Sequence, residues 1–285
     1  MIIITGATGA LNGATLGHLL ERVPPSDVAV ALRDLSQAQH FTDLGVEVRH
    51  GDYSDAASLP GAFAGADQLL LVSTSDPGVD AVALHRTAID AAVLAGVGRI
   101  LYTSHQGAAL DSPFAPARSH AATEELLRNA GVAWTSLRNG YYAHTLLRLM
   151  GPWRDTGVIT VPADGPVSWT SRDDVAEAAA VILASNGEYD GPTTLTAADA
   201  LTFEEVAAIA SEVAGRTVVL TELDEDAWIT TQVEAGQPEI GARFTLGIYR
   251  AAQQGFFAGV DPLLGTLLGR KPATVRDVLT QVDGV

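Results

Sequence analysis

The chain opens with Ile3-Ile4-Thr5-Gly6-Ala7-Thr8-Gly9-Ala10-Leu11-Asn12-Gly13, an apolar β-branched run that passes directly into a glycine-rich turn. The run predicts a buried strand, and residues 14–21 predict a helix after the turn. Glycine permits the tight turn and a close backbone approach to a pyrophosphate, while a helix N-terminus offers unpaired N–H groups to an anion. Because the glycines lie between a strand and a helix, the segment predicts a dinucleotide site that comprises Gly6, Thr8, Gly9, Ala10, Leu11 and Asn12.

The third glycine of this turn is displaced. The spacing of Gly6 and Gly9 predicts a glycine at position 12, but Asn12 stands there and Gly13 follows. The third glycine of such turns normally permits close packing of the helix on the strand. Two alternatives are open: the first helical turn shifts by one residue, or the Asn12 side chain contacts the phosphates itself.

The end of the second predicted strand carries Arg33 and Asp34, at the distance from the glycine turn where the ribose of a dinucleotide is recognised. Arg33 favours NADP(H), because a planar guanidinium pairs with the 2′-phosphate. Asp34 is suited to the 2′-hydroxyl of NAD(H), which is the alternative cofactor. After the third strand come Asp52 and Tyr53. Asp52 is placed either to accept from the adenine amino group or to form an Asx turn.

The first 140 residues alternate apolar, β-branched runs with longer amphipathic stretches. Alternation of this kind predicts parallel strands joined by crossover helices, and the apolar density of the runs predicts a sheet covered on both faces. The fold class is therefore α/β, a Rossmann-type doubly wound parallel sheet. Strands are predicted at 1–5, 28–32, 46–50, 68–72, 100–103 and 133–137, with helices at 14–21, 79–94 and 121–130.

The texture changes after Met150, where Gly151-Pro152 and the segment 161–166 indicate turns. We predict a Rossmann domain over 1–150 and a smaller, mostly helical substrate-cleft region over 151–285, some segments of which return to the main sheet. Its elements are a short strand at 217–220 and helices at 173–184, 203–213, 224–234, 240–257 and 273–282.

The composition excludes several classes of function. The formal net charge of −17 disfavours nucleic acid and anionic membrane surfaces as partners. The absence of cysteine excludes a thiolate metal site and a cysteine nucleophile, and it suits the reducing cytoplasm, where we expect the protein. The histidines show no metal-ligand spacing, and no apolar run is long enough to span a membrane, so we expect neither a metal nor a membrane partner.

Several motifs along the chain resemble the NmrA-like branch of the atypical short-chain dehydrogenase/reductases, and within it the bacterial NAD(P)H:quinone oxidoreductases. The resemblance implies a Rossmann sheet, a small C-terminal domain and a cleft over the nicotinamide. The arginine-asparagine-glycine-aromatic run is its most specific carrier. The matching segments are Gly6-Ala7-Thr8-Gly9, Arg33, Gly51-Asp52-Tyr53, residues 95–104, Leu137-Arg138-Asn139-Gly140-Tyr141-Tyr142, residues 171–176 and Leu268-Gly269-Arg270-Lys271-Pro272.

The wider superfamily uses a Tyr-x-x-x-Lys pair to protonate its substrate, and no tyrosine here has a lysine four residues later. His120 takes the tyrosine position and Glu124 the lysine position. His120 is therefore the first candidate for a proton donor, and His105, just after the fifth strand, is the second. Ligands bind at the carboxyl ends of such strands. Further cofactor contacts are accordingly expected from Ser73, Thr74, Ser104 and Asn139, and Tyr142 with Asn139 is expected to line the acceptor pocket.

The resemblance and the missing acid together favour hydride transfer to a quinone or related flat aromatic acceptor, because charge in the product is spread over the ring. A tailoring step on an aromatic polyketide is a close variant. The alternative from another class is a non-enzymatic redox sensor that binds NADP(H) and regulates a partner. The oligomeric state is open, and a homodimer is compatible with the sequence.

Overall fold

The computed structural model describes residues 1–74 and 78–281, and its strands lie close to those that the sequence predicts. The strands are β1 (Ile2–Thr5), β2 (Val28–Leu32), β3 (Glu47–His50), β4 (Gln68–Leu71), β5 (Arg99–His105), β6 (Ala133–Asn139), β7 (Val158–Val161), β8 (Gly191–Leu195) and β9 (Val219–Glu222). Within the described residues, seven of them form one sheet in the order β3-β2-β1-β4-β5-β6-β8. The pairs β1–β2, β1–β4, β2–β3 and β4–β5 are parallel. The Rossmann-type fold is therefore confirmed, and the strand order reverses between β1 and β4.

The helices that connect and follow these strands vary from four to fifteen residues. They are α1 (Ala10–Leu20), α2 (Ala38–Asp43), α3 (Leu59–Phe63), α4 (Ala81–Leu94), α5 (Ala115–Arg128), α6 (His144–Leu149), α7 (Trp153–Thr156), α8 (Arg172–Ala184), α9 (Phe203–Ala214), α10 (Glu225–Glu234), α11 (Glu239–Gln253), α12 (Leu263–Leu268) and α13 (Val275–Gln281). Short 3-10 turns lie at Pro25–Asp27 and Leu35–Gln37. The predicted end of the last helix at Val282 lies outside the described residues.

The start of α1 decides between the two alternatives for the displaced glycine. The helix begins at Ala10, and the Asn12 side chain turns inward, where its Nδ2 donates to the Thr5 carbonyl at 2.8 Å. A Cβ on Gly13 would lie 2.9 Å from the Ala7 carbonyl oxygen. Gly13 therefore provides the close packing of the third glycine, one residue later than the usual spacing. Asn12 fastens the helix to β1, which leaves its side-chain nitrogen committed within the protein.

Two strands were not predicted, and both lie in the second half of the chain. The sequence predicts turns over 161–166, and β7 (Val158–Val161) ends where this segment begins. It pairs in parallel with β9. The strand β8, Gly191-Pro192-Thr193-Thr194-Leu195, joins the main sheet although it begins with a glycine and a proline. With one leucine and two threonines it lacks the apolar run that marks the other strands. Its pairing partner, rather than its own pattern, determines its conformation.

The chain divides into two compact units that alternate along the sequence. The first comprises 1–105, 119–138 and 175–194, and the second comprises 106–118, 139–174 and 195–285. An apolar cluster that includes Ile3, Leu69 and Tyr102 packs on the sheet of the first unit. The second unit has its own core, built around Trp169, Phe203 and Tyr249. The division into domains at residue 150 stays a prediction, because compactness alone does not show which segments fold independently.

Two glycines of α1 provide a matched test of the close packing. We expect Gly13→Ala to lower the free energy of unfolding by about 1–3 kcal/mol, because the new Cβ meets the backbone of Ala7. Gly17→Ala is the control: nothing lies within 4 Å of its Cβ, so helix propensity should raise stability by about 0.5–1 kcal/mol. Urea denaturation measures both. Equal stabilisation by the two substitutions would contradict the packing role of Gly13.

Candidate active site

A cavity of about 520 Å³ lies where the strand order reverses, at the carboxyl ends of β1 to β4. Open α/β sheets bind their ligands at this position. Its walls come from the segments that follow each of the four strands, and all of them belong to the first compact unit. Of the predicted site residues, the lining includes Gly6, Thr8, Gly9, Arg33, Asp52, Tyr53, Ser73 and Thr74.

The glycine turn closes one side of this cavity and requires glycine at position 6. Gly6 has φ +64°, and a Cβ there would lie 2.7 Å from Cγ1 of Val72. Gly9 then caps α1, and the first helical hydrogen bond runs from the Gly13 N–H to the Gly9 carbonyl at 2.8 Å. The preceding N–H groups, of Ala10, Leu11 and Asn12, have no acceptor within the helix. They are therefore suited to the pyrophosphate of a dinucleotide.

A polar network holds β1 against β4 below the turn. The Thr5 hydroxyl donates to the Leu70 carbonyl at 3.0 Å and accepts from the Val72 N–H at 2.8 Å. It also lies 2.7 Å from the Tyr53 hydroxyl, which donates to the Val72 carbonyl at 3.2 Å. Burial raises the pKa of Tyr53, so this hydroxyl stays neutral. Tyr53 therefore lines the cavity with a ring whose hydroxyl is already held by the sheet.

The charged residues that line the cavity are Arg33 and the acids Asp34 and Asp52, each of which accepts hydrogen bonds from a nearby serine. Asp34 accepts from the Ser36 N–H at 2.9 Å and from the Ser36 hydroxyl at 2.8 Å, and these bonds lower its pKa. Oδ1 of Asp52 accepts from both the N–H and the hydroxyl of Ser54, each at 2.8 Å, so the Asx turn is present. Its pKa is lowered chiefly by this backbone bond, with a contribution from the charge of Arg33. Among the described lining residues, Arg33 is the one cation.

The two candidate histidines lie together in the first unit, at the end of β5 and on α5. Their rings stack with centroids 6.1 Å apart. Nδ1 of His120 lies 2.9 Å from the hydroxyl of Tyr102, whose side chain is fully buried. Burial raises the pKa of Tyr102, so its hydroxyl is neutral and can donate to Nδ1 of His120. In the tautomer that accepts this bond, the proton of a neutral His120 resides on Nε2.

Both histidines are uncharged at neutral pH. Burial lowers the pKa of His105 to about 4. For His120, burial and then the neighbouring rings of His105 and His85 lower the pKa to about 3. Neither residue is therefore an imidazolium acid under ordinary conditions. A neutral His120 can still donate one hydrogen bond from Nε2 to an acceptor oxygen.

The position of the superfamily lysine is taken by a buried carboxylate. Glu124 is 2% exposed and accepts from the hydroxyls of Ser104 at 2.7 Å and Ser136 at 2.6 Å. The guanidinium of Arg138 pairs with both of its oxygens. Burial opposes ionisation of Glu124, but these bonds outweigh it and lower its pKa. This cluster is structural: Arg138 is the ion-pair partner of Glu124, and the Ser104 hydroxyl donates to the same carboxylate.

The motif Asn139-Gly140-Tyr141-Tyr142 lies in the second unit. Nδ2 of the buried Asn139 donates to the Tyr142 hydroxyl at 3.1 Å. A Cβ on Gly140 would lie 2.0 Å from Oγ1 of Thr170, so the glycine is required by packing. Burial raises the pKa of Tyr142 to about 12. The structure thus brings Asn139 and Tyr142 together, and their contacts with cofactor or acceptor stay predictions, as does the cofactor contact of Ser104.

Two residues that lie beside the candidate histidines were not predicted from the sequence. Tyr102 contacts His120, and His85 packs against Tyr102. A periodic pattern was available for His85, since it shares the buried face of α4 with Ala88, Ile89 and Ala92. For Tyr102 no local signal exists, because its polar partner is 18 residues away on another element.

The motif Ser171-Arg172-Asp173-Asp174 starts helix α8 and joins it to a segment near the end of the chain. The Ser171 hydroxyl accepts from the Asp174 N–H at 3.3 Å at the start of α8. Asp174 is buried and pairs with Arg270 at 2.7 Å. Its other oxygen accepts from the Ala273 N–H at 2.6 Å. The segments 171–174 and 270–273 therefore hold each other in place.

The chain is similar in sequence to a known family and to several characterised proteins. The model of the NmrA-like family matches residues 1–245, and the chain belongs to that family. Quinone oxidoreductase 2 of Escherichia coli K12 is 32% identical over 286 residues, which cover 100% of this chain and 99% of the relative. The NAD(P)H azoreductase of Xenophilus azovorans is 30% identical over 278 residues, which cover 97% and 96%.

Solved structures show the same similarity. Escherichia coli quinone oxidoreductase 2 in complex with NADPH superposes with a TM-score of 0.91 at 31% identity, covering 99% of this chain and 100% of that one. The triphenylmethane reductase of a Citrobacter species, in complex with NADP(H), has a TM-score of 0.89 at 34% identity and covers 99% of both chains.

Among the residues that the structure describes, no group of three or more histidine, aspartate or glutamate residues is placed to hold a metal ion. Over 1–74 and 78–281, no helix has the length and apolarity that a membrane span requires.

The ion pair of Glu124 generates a stability prediction. Glu124→Gln should lower the free energy of unfolding at pH 7 by about 2–4 kcal/mol, because Arg138 loses a buried partner. Since the folded-state pKa of Glu124 is lowered, the contribution is present above the unfolded pKa of about 4.3 and is lost as the pH falls through the folded value. Denaturant unfolding at pH 7 and pH 3 measures both effects.

Glu239→Gln is the control, because Glu239 forms an exposed pair with Arg243 and should cost less than about 0.5 kcal/mol. Similar losses in the two variants would show that the buried cluster has no special weight.

Proposed function

We propose that this protein is an NAD(P)H-dependent oxidoreductase that transfers a hydride to a quinone or related flat aromatic acceptor. The observation that carries the proposal is the coincidence of a cavity at the reversal of the strand order, next to the glycine turn, with full-length similarity to named reductases. The relatives are named as a quinone oxidoreductase, an NAD(P)H azoreductase and a triphenylmethane reductase. The tailoring of an aromatic polyketide is a narrower version of the same reaction.

NADP(H) is the cofactor that the cavity suits best. Arg33 supplies a cation for the 2′-phosphate, while both oxygens of Asp34 accept from Ser36. The N–H groups of Ala10 and Leu11 suit the pyrophosphate, and the glycine at position 6 allows the close approach. Two solved structures with which the chain superposes were complexed with NADPH or NADP(H), which supports this choice. NAD(H) is the alternative, and Asp34 would then contact the ribose.

The mechanism places little demand on a protein acid. A bound nicotinamide supplies the hydride, and the protein positions the acceptor beside it. His120 is neutral, and its Nε2–H donates a hydrogen bond to the acceptor oxygen on which charge develops. Tyr102 keeps that proton on Nε2 by occupying Nδ1. The aromatic product anion then takes its proton from water, because its charge is spread over the ring. Tyr142 is assigned to the acceptor side of the site.

The alternative function is a redox sensor that binds NADP(H) without turnover. No observation of this chain favours it over the reductase, and it is the second outcome of the activity assay below.

Arg33→Ala should weaken NADPH binding about tenfold or more and leave NADH binding nearly unchanged. The reason is the loss of a charge-assisted contact with the 2′-phosphate, worth about 1.5–3 kcal/mol. Fluorescence titration with both cofactors measures the effect, and Arg49→Ala, which removes an arginine that pairs with Glu47 outside the cavity, is the control. A wild-type preference for NADH would show that Asp34, not Arg33, selects the cofactor.

Wild type should oxidise NADPH in the presence of quinones, and His120→Ala should retain about a tenth of the kcat. An obligatory general acid would instead account for about 10²–10⁴-fold. Since the pKa of His120 is lowered to about 3, kcat/KM should show no break from pH 5 to pH 8 that depends on this residue. Steady-state assays of wild type, His120→Ala and Tyr142→Phe, each checked for folding, provide the data.

Two outcomes would overturn parts of this mechanism. A loss beyond about a thousandfold in His120→Ala would make His120 an essential acid. Tight NADPH binding with no oxidation across a panel of quinones and triphenylmethane dyes would favour the sensor.

A further inference from the structure

His85 is a buried polar residue that the proposed mechanism does not use. It lies on α4 with 1% of its surface exposed, on a helix face otherwise formed by alanine and isoleucine. An apolar side chain would fill this place without the cost of burying a polar ring. Both ring nitrogens nevertheless have partners, so the ring is held in one orientation.

The partners of His85 determine its protonation. Nε2 accepts from the Thr74 N–H at 2.9 Å, so the ring proton resides on Nδ1. Nδ1 lies 2.8 Å from Oγ1 of Thr123, whose own proton goes to the Ser119 carbonyl at 2.8 Å. Each donor thus meets an acceptor, and a charged imidazolium would have no acceptor for its second proton at Thr74. Burial lowers the pKa of His85 to about 4, in agreement with a neutral ring.

The bond to Thr74 completes a series at the end of β4. The strand ends at Leu71, and the next three backbone N–H groups each donate to a side chain from a different element. Val72 donates to Thr5 of β1 at 2.8 Å, Ser73 to Thr103 of β5 at 2.8 Å, and Thr74 to His85 of α4 at 2.9 Å. All three donors line the dinucleotide cavity. Beyond the end of β4, side chains therefore accept the backbone hydrogen bonds that a neighbouring strand would otherwise accept, and they hold this part of the cavity wall.

Through Nδ1 and a contact of its ring, His85 is also connected to the part of α5 that carries His120. Thr123 lies on α5, three residues after His120, and the His85 ring packs edge-on against Tyr102 with centroids 5.3 Å apart. Tyr102 in turn bonds to His120. A continuous path of contacts thus joins Thr74 in the cavity wall to His120.

We propose that His85 is a positioning residue that fastens the cavity wall at Thr74 to helix α5, and that its acceptor nitrogen is required for full affinity for NADPH. The inference rests on the proposed function for the identity of the ligand. His85 touches neither cofactor nor acceptor in this proposal. It acts through Thr74.

Three substitutions separate the two bonds of the ring. In His85→Gln the amide oxygen can take the place of Nε2 and accept from Thr74. In His85→Asn the shorter amide can take the place of Nδ1 and donate to Thr123, with no acceptor left for Thr74. His85→Leu retains bulk and loses both bonds. Arg86→Ala, at the exposed next position of α4, is the control.

The measurements are the Kd for NADPH, the hydrogen-exchange rate of the Thr74 amide and the free energy of unfolding. We expect His85→Leu and His85→Asn to weaken NADPH about tenfold and to speed exchange at Thr74, whereas His85→Gln stays within about threefold of wild type on both. A purely structural histidine would instead rank the variants by stability, with no rescue by glutamine. If His85→Leu does not fold, the comparison of Gln with Asn still decides.

Equal Kd values in Gln and Asn variants that fold, or unchanged exchange at Thr74, would overturn the role of His85. Binding is measured without an acceptor, so the ranking is independent of turnover. A wild type that binds NADPH and reduces no acceptor would count against the proposed function alone. A wild type that binds no dinucleotide would overturn both.

Discussion

The hydroxyl of Thr5 holds together the two strands between which the sheet reverses its order. It bonds to the backbone of β4 at Leu70 and Val72 and meets the hydroxyl of Tyr53. Gly6 then turns away with a positive φ, directly against Val72. If β1 and β4 separated here, the glycine turn, the start of α1 and the wall after β4 would all move. The cavity depends on this junction, because its lining comes from the segments that leave it.

The protein carries a formal net charge of −17, but the three histidines of the first unit that lie near the site, His85, His105 and His120, are uncharged. Burial keeps His85, His105 and His120 neutral, so the ring nitrogens act as fixed donors and acceptors. The one carboxylate buried nearby on α5, Glu124, is neutralised by Arg138. A site of this kind can orient an acceptor and stabilise partial charge, and it supplies no strong acid. That combination suits acceptors whose reduced form spreads its own charge.

Several residues have partners in the structure that differ from those that the sequence suggests. Asn12 lies in the glycine turn and was open to a phosphate contact, but its side chain bonds to Thr5. Ser104 follows the predicted end of the fifth strand, where cofactor residues are expected, yet it lies within β5 and its hydroxyl donates to Glu124. The strand β8 carries too few apolar residues to be predicted, and it joins the sheet through its neighbour. In each case the deciding partner is distant in sequence or belongs to another element.

The sequence by itself determined the Rossmann-type sheet, the glycine turn and the cation at Arg33. These depend on local requirements, namely the periodicity of apolar residues and backbone conformations open only to glycine, which a short window of sequence contains. Tertiary structure alone decided the inward turn of Asn12, the Glu124–Arg138 pair, the contact between His120 and Tyr102 and the bond from Thr74 to His85. These are hydrogen bonds between groups 7 to 18 residues apart, and their existence depends on how helices pack against the sheet.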